Sequence, residues 1–234
     1  MTQVMEADRT QTVFLQQLRE LLGNEKSMHD WEHSVRVCKT ALHLCRTENG
    51  DEDIVALAAL LHDCDDYKVF GPENAAKLTN ARRILDESGA DGKTAAAVLE
   101  IVSNLGYSKY LSGMQKLDKN GHIVQDADML DAMGAVGIVR TIVFNAVAGS
   151  GRFFDPEMFP RENLSREAYQ SKGKNEKTAV NHMFEKLLRL KGLMYTESGK
   201  REAEIRHKVM FVFLEEFFRE LGCEDWQKYL RRFE

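Results

Sequence analysis

His33, the adjacent pair His62-Asp63, and Asp128 are the residues whose types and surroundings point to chemistry. The pair stands at the polar end of an apolar run, Val55-Ala56-Leu57-Ala58-Ala59-Leu60-Leu61. Upstream lies His29-Asp30-Trp31-Glu32-His33, and downstream lies Asp126-Ala127-Asp128-Met129-Leu130-Asp131. Two imidazoles and two carboxylates suit one divalent cation that keeps open coordination positions. Such an ion turns water into a nucleophile, so the set points to metal-assisted hydrolysis.

The helices must bring these residues together. Successive side chains on a helix diverge by about 100°, so His62 and Asp63 do not share a face. Both reach one ion only beside a helix end, with His33 and Asp128 supplied by neighbouring helices, as in bundle cores. The periodicity supplies such helices. Asp8 caps a first helix carrying Val13, Leu15, Leu18, Leu21 and Leu22 and stopped by Gly23. A second runs from about residue 30 to 48, with Val35, Val37, Cys38, Leu42 and Cys45 inward, and Asp53 opens a third that ends at His62-Asp63. Residues 64–78, with Gly71-Pro72, read as a polar connection. Helices from residue 79 or 80 to 88 and from 91 to 102 follow, then a mixed segment 103–122. A long helix over 123–148 carries the acidic cluster at its start, and final helices span 175–191 and 198–221. Residues 149–174, with Pro156, Pro160 and Lys172-Gly173-Lys174, read as a long loop of the kind that forms lids or binding loops. No strand alternation and no repeat is visible. The expected fold is an all-α helical bundle, one domain over 1–234 with its core at about 10–220.

Composition narrows the class. With 234 residues, 43% hydrophobic and 29% charged, the chain can bury one large core. A net charge of −5 disfavours a broad nucleic-acid surface. Cys38, Cys45, Cys64 and Cys223 form no C-x-x-C pair, and Cys38 and Cys45 would stand on the order of 10 Å apart along a helix, too far for a disulfide. Reduced thiols fit a cytoplasmic protein. The polar start shows no secretory signal, and no apolar run spans a bilayer. No membrane or nucleic-acid partner is expected, and oligomeric state is not readable. Walker, nucleophile-elbow and Rossmann patterns are absent, so no covalent nucleophile or glycine-rich phosphate loop competes with a metal-activated water.

The words His33-Ser34-Val35-Arg36-Val37, Leu60-Leu61-His62-Asp63 and Gln125-Asp126-Ala127-Asp128-Met129-Leu130-Asp131-Ala132 resemble the H…HD…D pattern of the HD-domain metal-dependent phosphohydrolases. Asn181-His182-Met183-Phe184-Glu185-Lys186 is similar to a C-terminal motif of a bacterial subgroup of HD-domain nucleotide pyrophosphohydrolases. The resemblance implies one divalent ion on His33, His62, Asp63 and Asp128, with Mn²⁺ the expected metal; Fe, Co, Ni, Zn or Mg also suit such donors. It favours His33 over His29, leaving His29, Asp30 and Asp131 to support the ligands or cap helices. It implies that Asp66, with Asp65 as competitor, handles the proton of the attacking water. Lys68, Lys109, Lys116, Arg140 and Lys186 are the cations available to phosphate oxygens. The implied reaction turns a nucleoside triphosphate into monophosphate and pyrophosphate. Rival readings are a nucleoside 5′-monophosphatase or phosphodiesterase, and a nucleotide-binding regulatory module without catalysis. A diiron site needs further histidines between residues 63 and 128, where His122 stands alone.

Overall fold

Helix starts in this chain are set by short side chains that accept the first, otherwise unpaired backbone N–H groups. In the computed structural model, Asp30 accepts from His33 N and Asp51 from Asp53 N and Ile54 N. Asp91 accepts from Lys93 N and Thr94 N, Thr178 from Asn181 N, and Thr196 from Gly199 N. The structure describes all residues except 1–8, 24–29, 108, 110–112, 114, 115, 149, 150 and 162–177, and omits the side chains of 9–13, 68 and 148. The expected cap at Asp8, His29, and the basic Lys172-Gly173-Lys174 lie outside the described residues, as does the side chain of Lys68.

The helices are α1 (Arg9–Leu22), α2 (Trp31–Glu48), α3 (Glu52–Leu61), α4 (Tyr67–Lys77), α5 (Thr79–Glu87), α6 (Gly92–Asn104) and α7 (Lys119–Asp131). They continue with α8 (Gly134–Ala148), α9 (Ala179–Glu185), α10 (Glu197–Glu220) and α11 (Glu224–Leu230), and 3-10 turns span Leu187–Leu193 and Arg231–Phe233. No strand occurs among the described residues. The fold is all-α. Two compact units, residues 1–125 and 126–234, divide it, and the division falls inside the uninterrupted helix α7.

In the first unit α2 packs on α3, α3 on α6, and α5 on α1, α4 and α6. The buried stripe of α2 is His33, Val37, Ala41 and Leu44, at the spacing that keeps one face inward. Val55, Ala58, Ala59 and Leu61 of α3 are fully buried. In the α2–α3 turn a Cβ on Gly50 would crowd the side chains beside it, standing 2.7 Å from Ile123 Cδ1 and 2.9 Å from Cys45 Sγ.

In the second unit α10 packs on α8, α11 and the 187–193 turn. Its centre is aromatic. Phe154 meets Trp226 edge-on at 4.9 Å and Phe218 lies 5.3 Å from Trp226, whose Nε1 donates to the Pro156 carbonyl at 3.0 Å. Asp126 ties this unit to the acidic cluster. Its Oδ1 accepts from Tyr195 N at 2.9 Å, and its Oδ2 accepts from Thr196 N at 2.8 Å and Thr196 Oγ1 at 2.7 Å. Asp126 is wholly buried and closes the start of α10 from 70 residues away.

Several expected elements differ. The connection 64–78 contains helix α4, bent where Gly71 takes φ 85° ahead of Pro72. Proline tolerates the first turn of a helix, so Pro72 restarts it instead of ending it. The long helix 123–148 is two helices, because Gly134 at φ 70° ends the first turn sequence after Asp131. Residues 175–177 of the helix expected over 175–191 lie outside the described residues; the rest is α9 followed by a 3-10 turn, and the short terminal piece is helix α11. Residues 151–161 of the long loop are anchored: Phe153 and Phe154 pack edge-on against Phe217, and Val180 N donates to the Phe153 carbonyl.

Gly199 touches the Asp126 carboxylate so closely that any Cβ there would overlap Oδ2 and stand 2.7 Å from Thr196 Oγ1. Gly199→Ala is therefore expected to destabilise the protein by about 2 kcal/mol, an overpacking cost at a buried charged group. Urea unfolding followed by circular dichroism measures this, and an unchanged midpoint contradicts the anchoring role given to Asp126.

Candidate metal centre

Three donor atoms converge in the first unit. His33 Nε2 lies 3.2 Å from His62 Nε2 and 3.4 Å from Asp63 Oδ2, and His62 Nε2 lies 3.2 Å from Asp63 Oδ2. The three side chains are only 2%, 4% and 11% exposed, so water screens them poorly. Bonds of about 2.1 Å at angles between octahedral and tetrahedral separate two donors on one ion by roughly 3.0–3.4 Å. The observed spacings fall on that range.

Local structure explains the convergence. Asp30 Oδ1 accepts from the backbone N of His33 at 2.7 Å, so the cap of α2 fixes the residue that presents the first imidazole. His62 is the C-cap of α3, and its Nδ1 lies 2.8 Å from the Ala59 carbonyl, one of the carbonyls a helix end leaves unpaired. A carbonyl only accepts, so Nδ1 carries the proton and Nε2 presents its lone pair. That lone pair points toward a carboxylate oxygen and a second imidazole nitrogen. Such a cluster is stabilised by a cation at its centre. Past Leu61 the chain tightens: Cys64 N donates to the Leu61 carbonyl and Asp66 N to the Asp63 carbonyl, both at 3.1 Å. This turn brings Asp63 beside His62, which a continuing helix would not do.

The remaining candidates are placed as follows. Asp65 is buried, and Oδ1 accepts from Asn80 N at 3.0 Å while Oδ2 accepts from Ala81 N at 2.9 Å. It thereby caps α5, whose own N-cap Leu78 sits at φ 51° and offers no side-chain acceptor. Asp66 is half-buried, and its carbonyl accepts from Phe70 N at 2.8 Å as α4 begins. The Cys64 thiol is pushed well above its usual pKa by burial and then by Asp65, and it donates to Asp65 Oδ2. A thiol held protonated in this way is a packing group.

Asp128 lies half-buried on α7, in the second unit. There Asp131 is buried and accepts from Arg140 Nη1. Lys109 Nζ donates to the Ser103 carbonyl, and burial pushes its pKa down. Lys116 is exposed, and Lys186 closes α9 by donating its N–H to the His182 carbonyl at 3.0 Å. In the Asn181 motif, Asn181 Nδ2 donates to the Met158 carbonyl, and buried Glu185 accepts from the N and Nε of Arg161. That motif pins the described part of the long loop. The sequence reading missed the Ala59 carbonyl as the partner of His62, because a backbone oxygen has no residue signature.

The HD domain family model matches residues 30–133, a span that holds His33, His62, Asp63 and Asp128. Bacillus subtilis YpgQ is 31% identical over 208 residues, covering 87% of this chain and 90% of that protein. The chain belongs to the HD-domain superfamily. A YpgQ structure in complex with ADP superposes with a TM-score of 0.67 at 29% identity, over 91% of this chain and 95% of that one. A Lactobacillus plantarum protein of known structure gives a TM-score of 0.78 at 32% identity, over 93% and 99% of the two chains. An HD-superfamily hydrolase from Bacillus thuringiensis gives 0.68 at 33% identity, over 91% and 98%. The HD-superfamily likeness thus runs along nearly the whole chain. Among the described residues no single helix is long and apolar enough to cross a membrane.

Asp65→Ala leaves the buried Ala81 N–H and the half-buried Asn80 N–H without their acceptor, at a cost of about 2 kcal/mol. It should lower the melting temperature clearly while sparing metal affinity at a temperature where the variant is folded. Full stability with abolished turnover would instead make Asp65 the proton carrier.

Proposed function

We propose that this HD-superfamily hydrolase is a metal-dependent phosphohydrolase that converts (deoxy)nucleoside triphosphates to monophosphate and pyrophosphate. The convergence of His33 Nε2, His62 Nε2 and Asp63 Oδ2 within 3.4 Å carries the reading. Asp128 is assigned as the fourth ligand from its place in the family motif, within the matched span. Nitrogen and carboxylate donors together suit a borderline transition ion, and Mn²⁺ is the metal expected from the resemblance. When bound on these residues, such an ion would supply an acidified water and offset charge on phosphate oxygens.

The chain's own residues do the rest. Asp66, three positions after Asp63, accepts the proton of the attacking water as its oxygen bonds to phosphorus. The bond between the α- and β-phosphates breaks, and pyrophosphate leaves with the bridging oxygen. Lys68, Lys109, Lys116, Arg140 and Lys186 are the proposed contacts for phosphate oxygens. Burial shifts the Lys109 pKa downward from its ordinary value, and an anionic phosphate beside it would favour the charged form. That YpgQ was solved with ADP supports a nucleotide as the class of substrate.

Two tests follow from this assignment. Incubation with Mn²⁺ and a nucleotide panel, resolved chromatographically, should yield monophosphate and pyrophosphate in equal amounts. Inorganic phosphate with free nucleoside, turnover confined to cyclic dinucleotides, or binding without turnover would overturn it. Asp66→Asn should keep metal and slow turnover by about 10²–10⁴-fold, the usual range for a general base. The same defect in Asp65→Asn, with Asp66→Asn active, would reassign the role.

A further inference from the structure

Asp128 stands in the last turn of α7, three residues before the helix ends at Asp131. Helix ends fray, because their last carbonyls have no partner inside the helix. A metal ligand placed there needs its backbone held from outside. Two ties supply that hold, and both come from α10.

The first tie is made at Asp126, two residues before Asp128. Its carboxylate accepts from Tyr195 N, Thr196 N and Thr196 Oγ1 where α10 begins. The second is made at Leu130, two residues after Asp128. The Leu130 carbonyl accepts from Arg206 Nη1 at 2.7 Å, beside the turn bond from Met133 N at 2.9 Å. A cation donating to the last carbonyls of a helix is also favoured by the helix dipole.

Arg206 is aimed at its target. Its Nε donates to Glu202 Oε1 at 2.7 Å, one turn back on α10, which fixes the guanidinium plane while Nη1 meets Leu130. A guanidinium serves two such partners at once in a fixed fork, and an ammonium does not. The side chain is only 24% exposed, so it is packed and not swinging in water. Gly134, at φ 70°, brings the α7–α8 turn against it, and a Cβ there would stand 3.2 Å from Arg206 Cβ and Cγ. Arg140 of α8, paired with the Asp131 carboxylate, already gives this helix end a cation. What Arg206 adds is a second fixed point. With Asp126 and Leu130 both tied to one helix, the segment between them can neither unwind nor slide along α10.

We propose that Arg206 is a positioning residue for metal binding, which acts through the Leu130 carbonyl to fix the turn that presents Asp128. This rests on the assignment of Asp128 as the fourth ligand. Calorimetric titration of the metal-stripped chain with Mn²⁺, at a temperature where each variant is folded, tests it. Arg206→Met keeps the apolar stem and removes the donors. It should weaken Mn²⁺ binding about 10-fold, the lower end for groups that support a ligand. Arg206→Lys should fall between that variant and wild type. Trp226→Phe, which loosens the aromatic centre of the same unit, should leave the affinity unchanged. Undiminished affinity in Arg206→Met overturns the proposal; if that variant does not fold, undiminished affinity in Arg206→Lys does so. An equal loss in Trp226→Phe overturns it too, since the effect would then be general loosening. Asp128→Ala tests the premise separately and should weaken binding more than Arg206→Met. A loss in Asp128→Ala with none in Arg206→Met strikes the positioning role alone. Full affinity in Asp128→Ala, with a loss in His62→Ala, would withdraw the fourth ligand and the proposal with it.

Discussion

Two imidazole nitrogens and one carboxylate oxygen held within 3.4 Å of each other are costly to bury without a cation among them. The first unit is organised around that constraint. His33 shares its face of α2 with Val37, Ala41 and Leu44, so packing of the helix and aim of the ligand are the same event. His62 ends α3 by capping a carbonyl, and that hydrogen bond leaves the other ring nitrogen turned toward the cluster. The stability of the helix ends and the chemistry of the site are thus coupled.

Buried aspartates act as pins at both ends of the motif. Asp65 holds the start of α5 from two residues after Asp63, and Asp126 holds the start of α10 from two residues before Asp128. Asp63 and Asp128 thus each have, two residues away, a carboxylate committed to backbone N–H groups at the start of a later helix. Charged acceptors paired with two or three donors make stiff joints, since losing one partner leaves a desolvated group behind. A loop segment on this scaffold is fixed by the same means, with Glu185 and Asn181 gripping Arg161 and Met158.

His33, His62 and Asp63, whose donor atoms the structure brings together, stand out in the sequence because metal chemistry admits few residue types, and they fall in the first turn of α2 and at the end of α3. The all-α class followed from periodicity. What stayed hidden depended on partners far along the chain. Asp65 and Asp126 look like members of acidic runs, because capping is ordinarily read within three residues and their targets lie 15 to 70 residues away. Helix α5 starts from Leu78, which no cap rule would choose, and needs Asp65 to do so. The break at Gly134 fell inside an apolar run, where a lone glycine is weak punctuation until a positive φ is required. Residues 64–78 read as a polar connection around Gly71-Pro72, although a proline ring fits a helix start.

The account stands most directly on Mn²⁺ binding measured as a rise in melting temperature during titration of the metal-stripped protein, with bound metal counted by elemental analysis. One ion per chain is predicted, and at about 100-fold excess over the dissociation constant it should add roughly 2.7 kcal/mol of stability. His33→Ala, His62→Ala and Asp63→Ala should each abolish that rise while remaining folded. Stoichiometric metal and an undiminished rise in all three would contradict the site.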